Sequence, residues 1–258
     1  MGRRLICAAL IAMVLPAVAA ASAGGSVAVT GRGCAEINAF VEVPAANIDP
    51  LVPDRYQLAL PDSLAGQNAL FIDALHCSSL GTGDDAREAV YATVAASIEK
   101  PPWHPETVGA DLEPHFYLLS WATNDDDFFE WLRDGTGLGP AVRLVHGLSY
   151  DDGATFAFSS PPPSPMPFEL LALRSEHVAP VPVTGNYWRD TAKGTVRIQT
   201  THDPPSSNRF GLAAGTVTTP TGSDLGAIFA PFATRPFNGF ASTFEGPTWR
   251  KQVVRDAG

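Results

Sequence analysis

The chain is poor in three things: cysteine, lysine and long apolar runs. Only 3 of its 258 residues are cysteine, at positions 7, 34 and 77, and its lysines are Lys100, Lys193 and Lys251. So few cysteines can supply one disulfide but not a disulfide framework. Lys and Arg total 17 against 27 Asp and Glu, a formal charge of −10 with no basic run. Such a surface does not suit nucleic acid or anionic lipid, whose phosphates attract Lys and Arg. After residue 21 no stretch is apolar for long enough to cross a bilayer.

The one long apolar run is Leu5 to Ala21, preceded by Arg3-Arg4 and followed by Ala-x-Ala sites such as Ala21-Ser22-Ala23. This is the pattern of a secretory signal peptide, residues 1–23, and predicts a secreted or periplasmic protein that is not held by a membrane after cleavage. Residues 24–258 then form one domain, since no linker or composition break divides them. Loss of Arg3 and Arg4 takes the charge from −10 to −12 (−10 − 2). Cys7 leaves with the signal, and in an oxidising compartment Cys34 and Cys77 are expected to form a disulfide closing a loop of about 44 residues.

Apolar residues alternate along 34–43, with Ala35, Ile37, Ala39, Val41 and Val43 on one side. That is a half-buried strand. Residues 44–53, with three prolines, read as a short helical or turn segment, and Tyr56 to Leu60 as extended chain. In the strand 69–77, Leu70, Ile72, Ala74 and His76 share one side, and Phe71, Asp73, Leu75 and Cys77 the other. Antiparallel pairing that sets Val43 opposite Asn68 also sets Cys34 opposite Cys77, making the disulfide a cross-strand staple. A strand over 88–99 puts Glu88 with Val90, Ala92, Val94 and Ile98.

The centre of the chain is His115 to Tyr150: a strand 115–123, a short helix, the elbow Gly135-Thr-Gly-Leu-Gly-Pro140, and a second strand 141–150. Asn124 reads as the helix cap, Asp125 to Asp127 as acids favoured by the helix dipole, and Gly135 as a left-handed stop. Asp151-Asp-Gly153 predicts a hairpin turn. Further strands are expected over 168–174, 195–201, 209–219, 240–244 and 249–255, with a short helix at 223–229. Many short strands, two or three short helices and 23 glycines with 23 prolines make the fold mainly β, a curled antiparallel barrel rather than an α/β sheet.

The strand, helix and turn ending Gly137-Leu-Gly-Pro140 resemble the central segment of the acetoacetate decarboxylase superfamily. There a strand enters a short helix and then a Gly-aromatic-Pro-Lys-Lys turn. Glu88-Ala-Val-Tyr-Ala-Thr-Val looks like the family's Glu-bearing strand, and Tyr187-Trp-Arg to Thr200 and Thr219 to Leu225 look like its later strands. The resemblance implies a curled β-barrel, or β-cone, around an interior pocket for a small organic molecule, keto acid-like or apolar. The chain departs where the family's enzymes carry paired lysines: Pro140 is followed by Ala141-Val142. An imine needs a primary amine of lowered pKa, and Arg143 cannot substitute, because guanidinium stays protonated. Lys193 and Lys251 read as solvated loop or edge residues.

Polar residues that share a strand face with apolar stripes supply the candidate acid and bases: Glu88, which matches the family's pocket glutamate, with His76 and His146. Tyr117, Pro140, Arg143 and Tyr150 are expected to line the ligand side of the elbow. His104 and His115 read as exposed. The two histidines and Glu88 lack the close spacing of a zinc site, and Gly135-Thr-Gly-Leu-Gly139 has no βαβ unit around it. No cofactor or metal is therefore expected. Three functions fit: a ligand-binding module without imine chemistry, a lyase, hydrolase or isomerase using Glu88 and a histidine, or a structural secreted domain. The sequence sets no oligomeric state.

Overall fold

The alternation at 34–43 becomes part of a longer strand. A computed structural model describes residues 27–60, 66–81, 86–103, 114–152, 155–160, 168–173, 178–179, 184–202, 207–217, 228 and 237–256. The signal segment, His104, and the helix expected at 223–229 apart from Ile228 lie outside the described residues. β1 (Val27–Pro44) pairs antiparallel with β2 (Gln67–Gly81), with Val43 opposite Asn68 and Cys34 opposite Cys77. This is the alignment that makes the disulfide a cross-strand staple, and the expected Cys34–Cys77 bond joins the two strands, with Cα atoms 4.0 Å apart. Between them lie the helical turn α1 (Ala45–Ile48) and a 3-10 turn over Asp49–Leu51. Asn68 ties the segment that follows to the sheet, its Nδ2 donating to the carbonyls of Ala59 and Ser97, each at 2.8 Å.

The chain continues through β3 (Arg87–Ile98), β4 (His115–Thr123), the helix α2 (Asp126–Glu130), β5 (Val142–Leu144), β6 (Ser149–Asp152) and β7 (Thr155–Ser160). It ends in β8 (Phe168–Leu173), β9 (Val178–Ala179), β10 (Thr184–Thr191), β11 (Gly194–His202), β12 (Ser207–Val217) and β13 (Phe237–Asp256). Pairing runs β1-β2-β3-β4-β10-β11-β13 and returns from β13 to β1, while β12, β8, β7 and β6 extend from β13 as an arm. The sheet as a whole is not closed, because the arm ends at β6. Nor is it wholly antiparallel: β4 runs parallel to both β10 and β5.

Ring contacts show which face is concave. Strands lie about 4.8 Å apart, so Phe71 on β2 and Tyr187 on β10, three strands away, would sit roughly 14 Å apart on a flat sheet. Their ring centroids are 6.1 Å apart, and Phe71 stacks on Phe116 of β4 at 4.4 Å. The sheet therefore curls around the face that carries Cys34, Phe71, Leu75, Tyr91, Phe116, Trp121, Tyr187, Val196 and Ile198, one continuous buried cluster. The opposite, convex face is also buried. There Val41, Val43, Leu70, Ile72, Val94 and Trp188 are covered by Ile48, Val52, Tyr56, Val145 and Leu148. Gly33, with φ of 55°, stands where β1 changes face: Val29 and Cys34 share the concave cluster although one is odd-numbered and the other even.

Several local expectations give way. Asp125, not Asn124, caps α2, its carboxylate accepting from Phe128 N–H at 2.7 Å. Asn124 instead accepts from Val90 N–H at 2.8 Å. Gly135 closes a π-helical turn over Trp131–Gly135, and the left-handed residues of the elbow are Gly137 and Gly139. The strand expected over 141–150 is two short ones: Val145 N–H donates to Thr123 O and Leu148 N–H to Val145 O, which turns the chain at His146-Gly147. Residues 240–244 and 249–255 belong to one strand, β13. His115 is buried and accepts a hydrogen bond from Trp188 Nε1–H at 3.1 Å. Lys193 does lie in an exposed turn, but Lys251 sits within β13 with backbone partners on both sides, Val29 and Thr200.

Candidate functional site

Three of the sequence candidates come together, on the convex face. His76 of β2 and Glu88 of β3 are linked, Nε2 to Oε1, at 3.0 Å, and the ring of Tyr150 from β6 stacks on His76 with centroids 5.3 Å apart and planes 15° apart. The side chains of His76 and Glu88 are 27% and 76% exposed. Glu88 is thus not the acid of an apolar pocket: it stands where β3 begins, beside the irregularity between Cys77 and Leu80 in the β2–β3 register. His146 is exposed in its turn and does not share a strand face with Val142, Leu144 and Leu148. Among the described residues no three His, Cys, Asp or Glu side chains converge as metal ligands.

The expected ligand-side residues are scattered. Tyr117 is buried in the convex cluster, 4.9 Å from Tyr56 and under the Arg189 guanidinium at 5.3 Å. Burial raises the Tyr117 hydroxyl's pKa above the ordinary tyrosine value, against the lowering effect of Arg189. Arg143 is exposed, with Nη1 donating to the Val142 carbonyl at 2.9 Å. Pro140 lies in a 3-10 turn, Gly139–Ala141. The elbow nonetheless borders the concave cluster, through Leu138 and Val142.

The polar groups of the concave face come from residues not singled out by the sequence. Glu36 of β1 and Asp73 of β2 are 2% and 0% exposed. Leu75 pairs with both Glu36 and Tyr91, and Asp73 pairs with Asn38 and Thr93. Asp73 is thereby the diagonal neighbour of Glu36 on one side and of Tyr91 on the other, a separation of about 7–8 Å that long side chains span. From across the curl comes Tyr187. Burial holds the Tyr91 and Tyr187 hydroxyls well above the usual tyrosine range, and the negative charge of Asp73, then that of Glu36, pushes both further.

Two hydroxyls complete this layer. Thr93, beside Asp73 on β3, and Thr200 on β11 are 0% and 3% exposed, and neither Oγ1 has a hydrogen-bond partner among the described residues. Buried hydroxyls are normally satisfied, so two unsatisfied ones on one concave face are a feature that requires a reason. The rings of Phe71, Phe116 and Trp121 belong to the same buried cluster. Chemically it offers two carboxyl groups, two neutral phenol donors and two hydroxyls on an apolar wall. Such a set can hold and move protons at a small polar ligand.

The sequence rule that selected His76 would also have selected Asp73. Phe71, Asp73, Leu75 and Cys77 form as apolar a stripe as Leu70, Ile72, Ala74 and His76. Alternation singles out an inward polar residue only where one face is exposed, whereas both faces of β2 are buried.

No protein-family model and no curated protein matches the chain. Solved structures do. An acetoacetate decarboxylase aligns over 89% of this chain and 90% of its own with a TM-score of 0.58 at 7% identity. The acetoacetate decarboxylase of Legionella pneumophila subsp. pneumophila str. Philadelphia 1 covers 98% of this chain and 99% of its own, with a TM-score of 0.52 at 9% identity. An acetoacetate decarboxylase-like enzyme from Sphingomonas wittichii RW1 gives 88% and 92%, a TM-score of 0.50 and 11% identity. The fold of this chain is that of the acetoacetate decarboxylase-like proteins, a curled and mainly β sheet.

Proposed function

We propose that this acetoacetate decarboxylase-like chain is an exported protein whose concave face binds a small organic molecule carrying a carbonyl or hydroxyl oxygen, without forming an imine. The observation that carries the reading is the buried layer of Glu36, Asp73, Tyr91, Tyr187, Thr93 and Thr200, in which two hydroxyls lack a partner among the described residues. A ligand oxygen that accepted from Thr93 and Thr200 would remove a cost of about 1–3 kcal/mol for each hydroxyl. Imine chemistry is set aside because Ala141-Val142 follows Pro140 and both are buried. Export is supported by the apolar leader and by a buried disulfide, a bond that lasts in oxidising compartments.

The test is a thermal-shift screen of small ketones, keto acids and alcohols on the mature chain. A ligand present at 100 times its Kd adds about 2.7 kcal/mol to stability. Binding is expected to raise Tm in the wild type and to do so much less in Thr93→Val and Asp73→Asn. A shift of equal size in both variants would place the ligand elsewhere, and no shift with any compound would refute binding. Export is checked by the mass of the protein recovered outside the cytoplasm, which should lack about 23 N-terminal residues.

A further inference from the structure

We infer that His115 and Trp188 form an acid-sensitive latch: protonation of His115 opens the seam between β4 and β10 and exposes the inner face of the curled sheet. The strands β1-β2-β3-β4-β10-β11-β13 pair in a circuit that returns from β13 to β1. Every other ladder of that circuit contains eight or more residue pairs, whereas β4 and β10 pair at three positions, His115 with Asn186, Phe116 with Tyr187 and Tyr117 with Trp188. Further bonds support this short ladder: Asn186 N–H donates to Pro114 O at 3.0 Å, Arg189 Nη1 to Leu118 O at 2.8 Å, and Trp188 Nε1–H to His115 Nδ1 at 3.1 Å. Local opening starts where the fewest bonds must break, and here that place is β4 against β10.

The bond between the two side chains depends on protonation. An indole N–H can only donate, so Nδ1 of His115 carries a lone pair and the neutral ring keeps its proton on Nε2. The ring planes are 25° apart, as a bond lying near both planes requires. A second proton makes Nδ1 a donor as well, and two N–H groups then face each other. His115 is 5% exposed, so its cation would also be held away from water. The groups on the elements packed around the pair do not compensate. Arg197 of β11 is itself a cation and lies over the Trp188 ring at 5.7 Å, and Arg189 of β10 lies over Tyr117. Asp190 of β10 is taken by Arg55 and Tyr56 from the segment on the convex face. Past Ile98, which stands opposite His115 on β3, Glu99 is exposed and Lys100 is cationic. Tyr56 and Tyr117 stay neutral, since burial raises both hydroxyls. His115 thus takes a proton more readily with the seam open than closed. The latch is complete above the unfolded histidine value of about 6.5 and weakens as pH falls below it. Opening parts Phe116 from Tyr187, whose rings meet on the concave side with centroids 5.3 Å apart.

The experiment is amide hydrogen exchange of the mature chain by NMR between about pH 7.5 and 4.5, corrected for intrinsic rates, together with the 15N shifts of the His115 ring. At the upper end the ring should be neutral with its proton on Nε2. Below about pH 6.5 the protection of residues 115–117 and 186–188 should fall by up to about tenfold per pH unit, the limit for one linked proton, while the β1–β2 and β1–β13 ladders keep theirs. An apolar dye should bind over the same range, as Phe116 and Tyr187 become exposed. In His115→Asn the amide oxygen can take the place of Nδ1 as acceptor and does not titrate, so the seam should stay protected at about pH 5. If that variant does not fold, wild-type exchange and the ring-nitrogen shifts still decide. Seam protection that is constant across the range overturns the latch, as does its loss in step with every other ladder. A His115 ring protonated on both nitrogens while the seam stays protected overturns it too, and so does an unchanged pH dependence in folded His115→Asn.

Discussion

Replacing Cys34 and Cys77 together by alanine tests the fold at its best-defined point. The disulfide closes a sequence separation of 43 residues, and in the chain-entropy model its loss costs roughly 4 kcal/mol. Little of that should be recovered through strain relief, because the cysteines face each other in a ladder whose pairs extend from Thr30 to Pro44 on either side of them. Truncating two buried sulfur atoms leaves a small void worth about another 1 kcal/mol. For a domain of this size each kcal/mol shifts Tm by about 2–4 °C, so the double variant should melt roughly 10–20 °C below the wild type. It should still fold, since the β1–β2 ladder and the β1–β13 ladder are specified by side chains other than sulfur. The assay is calorimetry of both proteins, with and without reductant. Cys34 and Cys77 are 8% and 0% exposed, so mild reductant should leave native wild type oxidised and lower Tm only when it is present during unfolding. A fall in Tm below about 3 °C, or rapid reduction of the folded protein, would refute the reasoning.

Glu88→Gln removes only an exposed contact to His76, so it should change stability by less than about 1 kcal/mol in chemical denaturation and leave ligand-induced stabilisation intact. Asn124→Ala strips the acceptor from the Val90 N–H, and an unpaired backbone donor beside a buried strand costs about 1–3 kcal/mol in the same measurement. Asp125→Ala should cost about 1 kcal/mol through the lost cap, seen as fraying of α2 by amide exchange. Alkaline titration reads the buried phenols. The folded pKa values of Tyr56, Tyr91, Tyr117 and Tyr187 are all raised, foremost by burial. Their stabilisation is complete below the unfolded value of about 10 and is lost as pH rises above it. Tyrosinate absorbance should therefore appear together with unfolding rather than before it, and an earlier rise from more than one tyrosine would contradict the burial of these four.

What the sequence could and could not say follows from how a curled sheet buries its strands. The β1–β2 pair was legible as two strands joined by one disulfide, but its register was not: alternation fixes only the phase, and the Val43–Asn68 alignment was one choice among those in phase. The elbow was legible as a place, through its glycines and proline, but not its chemistry: it reaches the concave cluster by Leu138 and Val142, while Arg143 turns to solvent. β10 was invisible as an alternating strand because Asn186, Tyr187 and Trp188 are buried on opposite faces in succession, and a strand covered on both sides has no polar phase to read. The same loss of phase misplaced the acid. With Glu88 as the first polar residue of an apolar stripe, alternation assigned it inward, although a residue at the very start of a strand, second in β3, has little beyond it to cover it. Asp73 stands in the middle of β2, flanked in space by β1 and β3, so burial there is imposed by the sheet and not by the stripe. For a two-sided sheet, then, distance from the strand end is a better guide to a functional acid than the face on which alternation places it.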